Sequence, residues 1–97
     1  MKGKREITIG DKMVPVVFDW GAVEDFCEDN DVSFAEFEKA INKPKQMRSL
    51  IYHMARSAGS DVAFDDLRKM SFSQMAIVSE LIQEALPEGE GKAKPRK

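Results

Sequence analysis

Hydrophobic and polar residues alternate at the start of the chain. Ile7 and Ile9 are the apolar positions of a first β-rich run, Glu6–Ile9, and a second apolar run covers Met13–Phe18. The turn-forming sequence Gly10-Asp11-Lys12 separates the two runs. The pattern therefore predicts a β-hairpin over residues 6–18.

The second strand of this hairpin is apolar on both faces. Val14, Val16 and Phe18 alternate on one face, whereas Met13 and Val17 belong to the other. Pro15 lacks a backbone N–H, so we expect a free strand edge at that point. A two-stranded hairpin is marginal in water, and two apolar faces both need cover. The candidate partner-binding residues are therefore Met13, Pro15 and Val17.

After Phe18 the apolar spacing becomes helical and predicts five short helices. They span approximately residues 20–29, 34–41, 45–58, 63–69 and 73–86. The predicted helix starts are an Asp19 N-cap, capping boxes at Ser33/Glu36 and Ser71/Gln74, and Pro44 in a first turn. The side chains predicted to face the core are Trp20, Val23, Phe26, Cys27, Phe34, Phe37, Ile41, Met47, Leu50, Ile51, Met54, Ala55, Ala58, Phe64, Leu67, Met70, Met75, Val78, Leu81, Ile82 and Ala85.

These elements predict an α+β, mostly helical fold with an N-terminal β-hairpin. Ninety-seven residues suffice for one small domain, which we expect to cover residues 1–87. Residues 88–97, EGEGKAKPRK, are charged and of low complexity, and are predicted to be a disordered tail.

Composition narrows the possible functions. The formal net charge of -2 argues against a general nucleic-acid binder, which needs a surplus of Lys and Arg on one face. The single cysteine excludes an internal disulfide, and the single histidine leaves too few soft ligands for a closed zinc site. We find neither a signal peptide nor an apolar stretch that could span a membrane. The expectation is a soluble cytoplasmic protein without a cofactor.

An acidic run offers an alternative function, that of a degenerate EF-hand-like calcium-binding module. Eight acidic side chains and no basic one lie between Asp19 and Glu38. In an EF-hand alignment, Asp25, Asp29, Asp31 and Glu36 would take positions 1, 5, 7 and 12. Cys27 would take position 3, where calcium requires an oxygen ligand, and glycine is absent at position 6. The run is better explained by two capped helices with solvated acidic faces, so no metal site is predicted.

DNA binding and catalysis are less well supported by the residues. Residues 63–86 could form a helix-turn-helix DNA-binding unit, but the second helix carries Glu80 and Glu84 and no Lys or Arg. His53 and Cys27 are expected to be packed helix residues rather than a base or a nucleophile, so no catalytic residue is predicted.

The element order resembles that of the tail assembly chaperones of long-tailed bacteriophages and prophages. The similar segments are ITIGDKMVPVVFD (7–19), SFAEFEKAI (33–41), MRSLIYHMARSAG (47–59), FDDLRKM (64–70) and SQMAIVSELIQEAL (73–86). The resemblance covers about residues 5–86 and rests on element order and apolar pattern. It implies a non-enzymatic protein of the bacterial host cytoplasm that binds the tape measure protein, recruits tail tube subunits and forms a homo-oligomer.

Overall fold

The computed structural model describes residues 4–85, which begin with the predicted hairpin. Strands β1 (Lys4–Ile9) and β2 (Lys12–Val17) pair antiparallel, with Ile7 opposite Val14. Gly10 has φ +64° and Asp11 has a negative φ, the pattern of a type II′ turn with glycine first. The hairpin begins two residues before the predicted start and ends one residue before the predicted end. The predicted tail, residues 88–97, lies outside the described residues.

Within residues 4–85 five helical segments follow the hairpin, which confirms the predicted α+β, mostly helical fold class. The helices are α1 (Trp20–Asn30), α2 (Phe37–Ala40), α3 (Pro44–Ser57) and α4 (Ser73–Ala85). A 3₁₀ turn, Phe34–Glu36, leads directly into α2, and a 3₁₀ helix, Phe64–Lys69, lies between α3 and α4. The two shortest predicted helices are thus wholly or partly 3₁₀ in character, which suits segments too short to gain from α-helical cooperativity.

Local side-chain caps start the first helices as predicted. Asp19 Oδ1 accepts from the Ala22 backbone N–H at 2.9 Å. The Glu36 carboxylate accepts from the backbone N–H of Ser33 at 3.2 Å and from the Ser33 hydroxyl at 3.1 Å. Pro44 is the first residue of α3, where its missing N–H removes no helical hydrogen bond.

The start of α4 differs from the prediction. The Gln74 side chain does not close a capping box on Ser71, because its Oε1 accepts from the Thr8 backbone N–H of β1 at 2.8 Å. The Ser71 hydroxyl instead lies 2.9 Å from the Ser73 hydroxyl. Gln74 therefore joins α4 to the outer edge of β1.

One core lies between the inner face of the hairpin and the helices. The sheet packs against α3 through β2 and against α4 through β1, while α1 packs on α3. The buried apolar side chains are Ile7, Ile9, Val14, Val16, Phe18, Ala22, Val23, Phe26, Phe37, Leu50, Ile51, Met54, Ala55, Val62, Leu67, Val78, Leu81 and Ile82. The inner face of β2 is buried as its alternation predicted.

Three predicted core residues are exposed. Trp20 is 62% and Phe34 55% exposed, and Ala85 is also exposed. At 100° per residue, the buried stripe of α1 centres on Ala22, Val23 and Phe26, and Trp20 lies about 110° away from that centre. Phe34 stacks on the outer side of buried Phe37, with ring centroids 6.3 Å apart, and no further layer of the described chain covers it.

Candidate protein-binding surfaces

The outer face of the hairpin carries the predicted partner-binding residues. Met13 is 61% exposed, and Pro15 and Val17 are half-buried. All three alternate with the buried residues of β2 and therefore share the face away from the helices. The register places Thr8 opposite Met13, Glu6 opposite Pro15 and Lys4 opposite Val17. The Thr8 hydroxyl lies 3.3 Å from Met13 Sδ. The structure thus brings Met13, Pro15 and Val17 together in one apolar strip, which we call the hairpin strip.

The edge of β2 beside this strip is open within residues 4–85, where β1 is the strand that pairs with it. The Thr8 N–H points away from β2 to Gln74, so Thr8 and Met13 form a non-hydrogen-bonded pair. By antiparallel alternation Pro15, two residues on, also directs its backbone away from β1. Its missing N–H therefore removes no bond of the hairpin. At the free edge, however, Pro15 cannot donate a hydrogen bond to an added strand.

A second surface combines exposed aromatic rings with acidic side chains. The rings of Trp20 and Phe34 lie 5.4 Å apart and help to line a cleft of about 210 Å³, which Phe18, Val23 and Ala85 complete with Asp19. Trp20, Glu24 and Glu28 follow one another at four-residue spacing on α1. We call Trp20, Phe34, Glu24, Glu28 and Asp31 the acidic patch.

A third surface is an apolar groove with basic surroundings. The groove has a volume of about 380 Å³ and is lined by Ile41, Asn42, Pro44, Met47, Arg48, Ile51, Leu67, Met70, Ser71, Phe72 and Met75. Phe72 is 95% exposed at its border. The two stretches that line it, 41–51 and 67–75, contain no Asp or Glu. We call Phe72, the groove and the cations Lys43, Lys45, Arg48 and Arg68 the basic patch.

Arg48 is held in place by the protein itself. Its guanidinium carbon lies 4.0 Å from the centroid of the Phe64 ring, and Nη1 is 4.0 Å from an oxygen of exposed Asp65. Nη1 is buried and finds no hydrogen-bond partner among residues 4–85. The cation–π contact thus positions a positive charge on the wall of the groove.

The four acidic residues of the EF-hand alignment do not form one loop. Asp25 and Asp29 lie inside α1, Asp31 follows it with φ +55°, and Glu36 is engaged in the capping box. Within residues 4–85 no group of three or more His, Cys, Asp or Glu side chains lies close enough to hold a metal ion.

The polar residues near His53 link two helices. The Ser49 hydroxyl, buried between α1 and α3, accepts from Asn30 Nδ2 at 2.9 Å and lies 3.5 Å from Asp29 Oδ2. The same Asp29 oxygen lies 3.2 Å from His53 Nε2.

Cys27 is half-buried, and this burial raises the pKa of its thiol, which disfavours the nucleophilic thiolate.

The second helix of the possible helix-turn-helix unit, which would be the DNA-recognition helix, is α4. Its exposed residues include Glu80 and Glu84, and Glu84 forms a 2.7 Å ion pair with Arg5 of β1. None of the helices described in the structure combines the length and apolar content needed to cross a membrane.

Comparisons with protein-family models, curated proteins and solved structures found no match to this chain. Sequence reasoning found the hairpin strip but missed the exposure of Trp20, Phe34 and Phe72. The sequence does contain a signal for the acidic and basic patches. It is the separation of charge along the chain, from the acidic run 19–38 to the acid-free stretch 39–60 that follows it.

Proposed function

We propose that this chain is a non-enzymatic tail assembly chaperone that binds the tape measure protein and recruits tail tube subunits. The observation that carries the proposal is the apolar strip of Met13, Pro15 and Val17 beside the open edge of β2. A protein that holds a client temporarily needs an apolar surface that later partners can displace. The resemblance in element order, from the hairpin to the closing helix pair, supplies the class of client.

The proposed site binds an apolar segment of the tape measure protein against the outer face of the hairpin. Met13 is the most exposed member of the strip, and methionine adapts its shape to different apolar partners at low cost. Pro15 weakens the edge as a template for another strand, which favours side-chain contacts over sheet extension. By this proposal the protein acts in the bacterial cytoplasm and as a homo-oligomer.

The test is co-purification with the tape measure protein of the same phage or prophage genome. We expect the wild-type chain to retain the co-expressed tape measure protein in the soluble fraction. The double variant Met13→Asp, Val17→Asp should retain at least tenfold less, because it places two charges in the apolar contact.

Ala76→Asp is the matched control. It introduces the same side chain at an exposed apolar position on α4, away from the hairpin strip, and should bind as the wild type does. Circular dichroism of the free variants checks that they fold. Failure of the wild type to retain the tape measure protein would contradict the proposed function, and equal retention by the double variant would contradict the proposed site.

A further inference from the structure

The Trp20/Phe34 cleft of the acidic patch and the groove of the basic patch lie at opposite ends of α3. Glu28 and Asp31 lie farther along α1, which runs antiparallel to α3 and brings Asn30 beside Ser49. Asp19, next to Trp20, accepts from the Ser57 hydroxyl at the last residue of α3, whereas Pro44 at the first residue of α3 lines the groove. This helix has 14 residues and is about 20 Å long. Helix α4 has the same polarity, since Met75 near its start lines the groove and Ala85 at its end lines the aromatic cleft.

The two patches are complementary in charge. The acidic patch presents Glu24, Glu28 and Asp31, all exposed, and belongs to a stretch without a cation. The basic patch presents Lys43, Lys45 and Arg68, also exposed, in stretches without an anion. Oppositely charged surfaces attract each other on approach and orient the contact, whereas either patch would repel its own copy.

The two patches are also complementary in shape. Phe72 is a nearly free aromatic side chain, 95% exposed, and the cleft walled by Trp20 and Phe34 has a volume of about 210 Å³. An apolar cavity of about 150 Å³ is enough to hold a benzene ring. Aromatic rings that meet at an angle gain stabilisation beyond the area that they bury.

We infer that copies of this chain associate head to tail, with Phe72 of one copy in the Trp20/Phe34 cleft of the next. Because Phe72 and the cleft differ and lie at opposite ends of α4, the contact is heterologous and does not close at a dimer, so it produces an open chain or a ring. The inference specifies the self-association that forms part of the proposed function, but it concerns surfaces other than the hairpin strip.

The head-to-tail association is expected to be weak. Each aromatic side chain can bury roughly 150–250 Å², so three of them and their charged surroundings give a contact near the lower size limit of specific interfaces, about 1,000 Å² in total. Association should therefore depend on protein concentration and weaken at high salt, because the surrounding charges are solvent-exposed.

The test uses the protein alone in sedimentation velocity and light scattering, from micromolar to millimolar concentration. The weight-average mass of the wild type should rise with concentration and pass beyond that of a dimer. Trp20→Asp removes one side of the contact and Phe72→Asp the other, and each variant alone should associate at least tenfold more weakly. Ser79→Asp, at an exposed position midway along α4, is the matched control and should associate as the wild type does.

Mixing the two variants distinguishes a head-to-tail contact from a symmetric one. Each variant keeps one intact patch, so an equimolar mixture should form a one-to-one heterodimer that grows no further. A mixture that stays monomeric, a wild type that stays monomeric at millimolar concentration, or a single variant that still polymerises would each overturn the inference. Since no client is present, these outcomes are independent of the tape measure experiment.

Discussion

At the scale of single residues, the neighbouring aromatics Phe34 and Phe37 have different roles. Phe37 is 1% exposed and lies between Phe18, with ring centroids 6.1 Å apart, and Phe26, at 5.4 Å and nearly perpendicular. Phe34 is more than half exposed and meets Trp20 at the surface. Phe37 thus belongs to the core, whereas Phe34, one helical turn before it, belongs to the acidic patch.

This difference predicts unequal effects on stability. Phe37→Ala should lower the free energy of unfolding by about 3–5 kcal/mol, because it removes a buried ring and leaves a cavity. Phe34→Ala should lower it by less than about 1 kcal/mol, since most of that ring is already in water. Urea denaturation of the two variants, at a concentration where the chain is monomeric, measures both values. Comparable losses would mean that Phe34 belongs to the core after all.

At the scale of elements, Asp19 connects two helices. One carboxylate oxygen caps α1 through the Ala22 N–H at 2.9 Å, and both oxygens accept from the Ser57 hydroxyl of α3 at 2.8 Å. The residue predicted as a local cap is therefore also a contact between the start of α1 and the end of α3. The second role depends on how the two helices pack, which no local pattern reports.

We expect Asp19→Ala to destabilise the protein by about 1–2 kcal/mol, because the cap and the inter-helix bond are both lost. Asp19→Asn keeps an acceptor for the Ala22 N–H and should cost less. Ser57→Ala removes the inter-helix bond alone, at about 1 kcal/mol. A double-mutant cycle of Asp19→Ala with Ser57→Ala measures the coupling by urea denaturation, and strictly additive losses would exclude the helix-to-helix bond.

At the scale of the whole molecule, the hairpin is part of the core formed by the helices. Its inner face packs on α3 and α4, and Gln74 ties the outer edge of β1 to α4. A two-stranded hairpin is marginal alone, so its stability comes from these contacts. The same arrangement leaves the hairpin strip and the two charged patches uncovered within the described chain.

Because hairpin and helices share one core, unfolding should be a single transition. Val16→Ala, at a fully buried position of β2, should shift the urea midpoint of far-ultraviolet circular dichroism and of Trp20 fluorescence together. The expected loss is about 1–3 kcal/mol, from the deleted methyl groups and the space they leave. If the variant instead lost the hairpin while the helical signal kept its wild-type midpoint, the hairpin would be a separate folding unit.

The amino-acid sequence by itself determined the order of elements, most helix ends and the inner face of the hairpin. These features depend on neighbours within about four residues: the alternation around Val14, the cap at Asp19 and the proline that opens α3. Local geometry is therefore enough to predict them.

Only the tertiary structure decided which aromatic side chains stay in water and which surfaces lie far apart. Trp20 and Phe34 have the helical spacing of core residues, yet the core ends before it reaches them. Gln74 could have capped its own helix, but the neighbouring strand offers it an N–H that would otherwise face solvent. Burial depends on the packing of segments distant in sequence, so the positions of the aromatic cleft and the groove at opposite ends of α3 follow from that packing rather than from any local pattern.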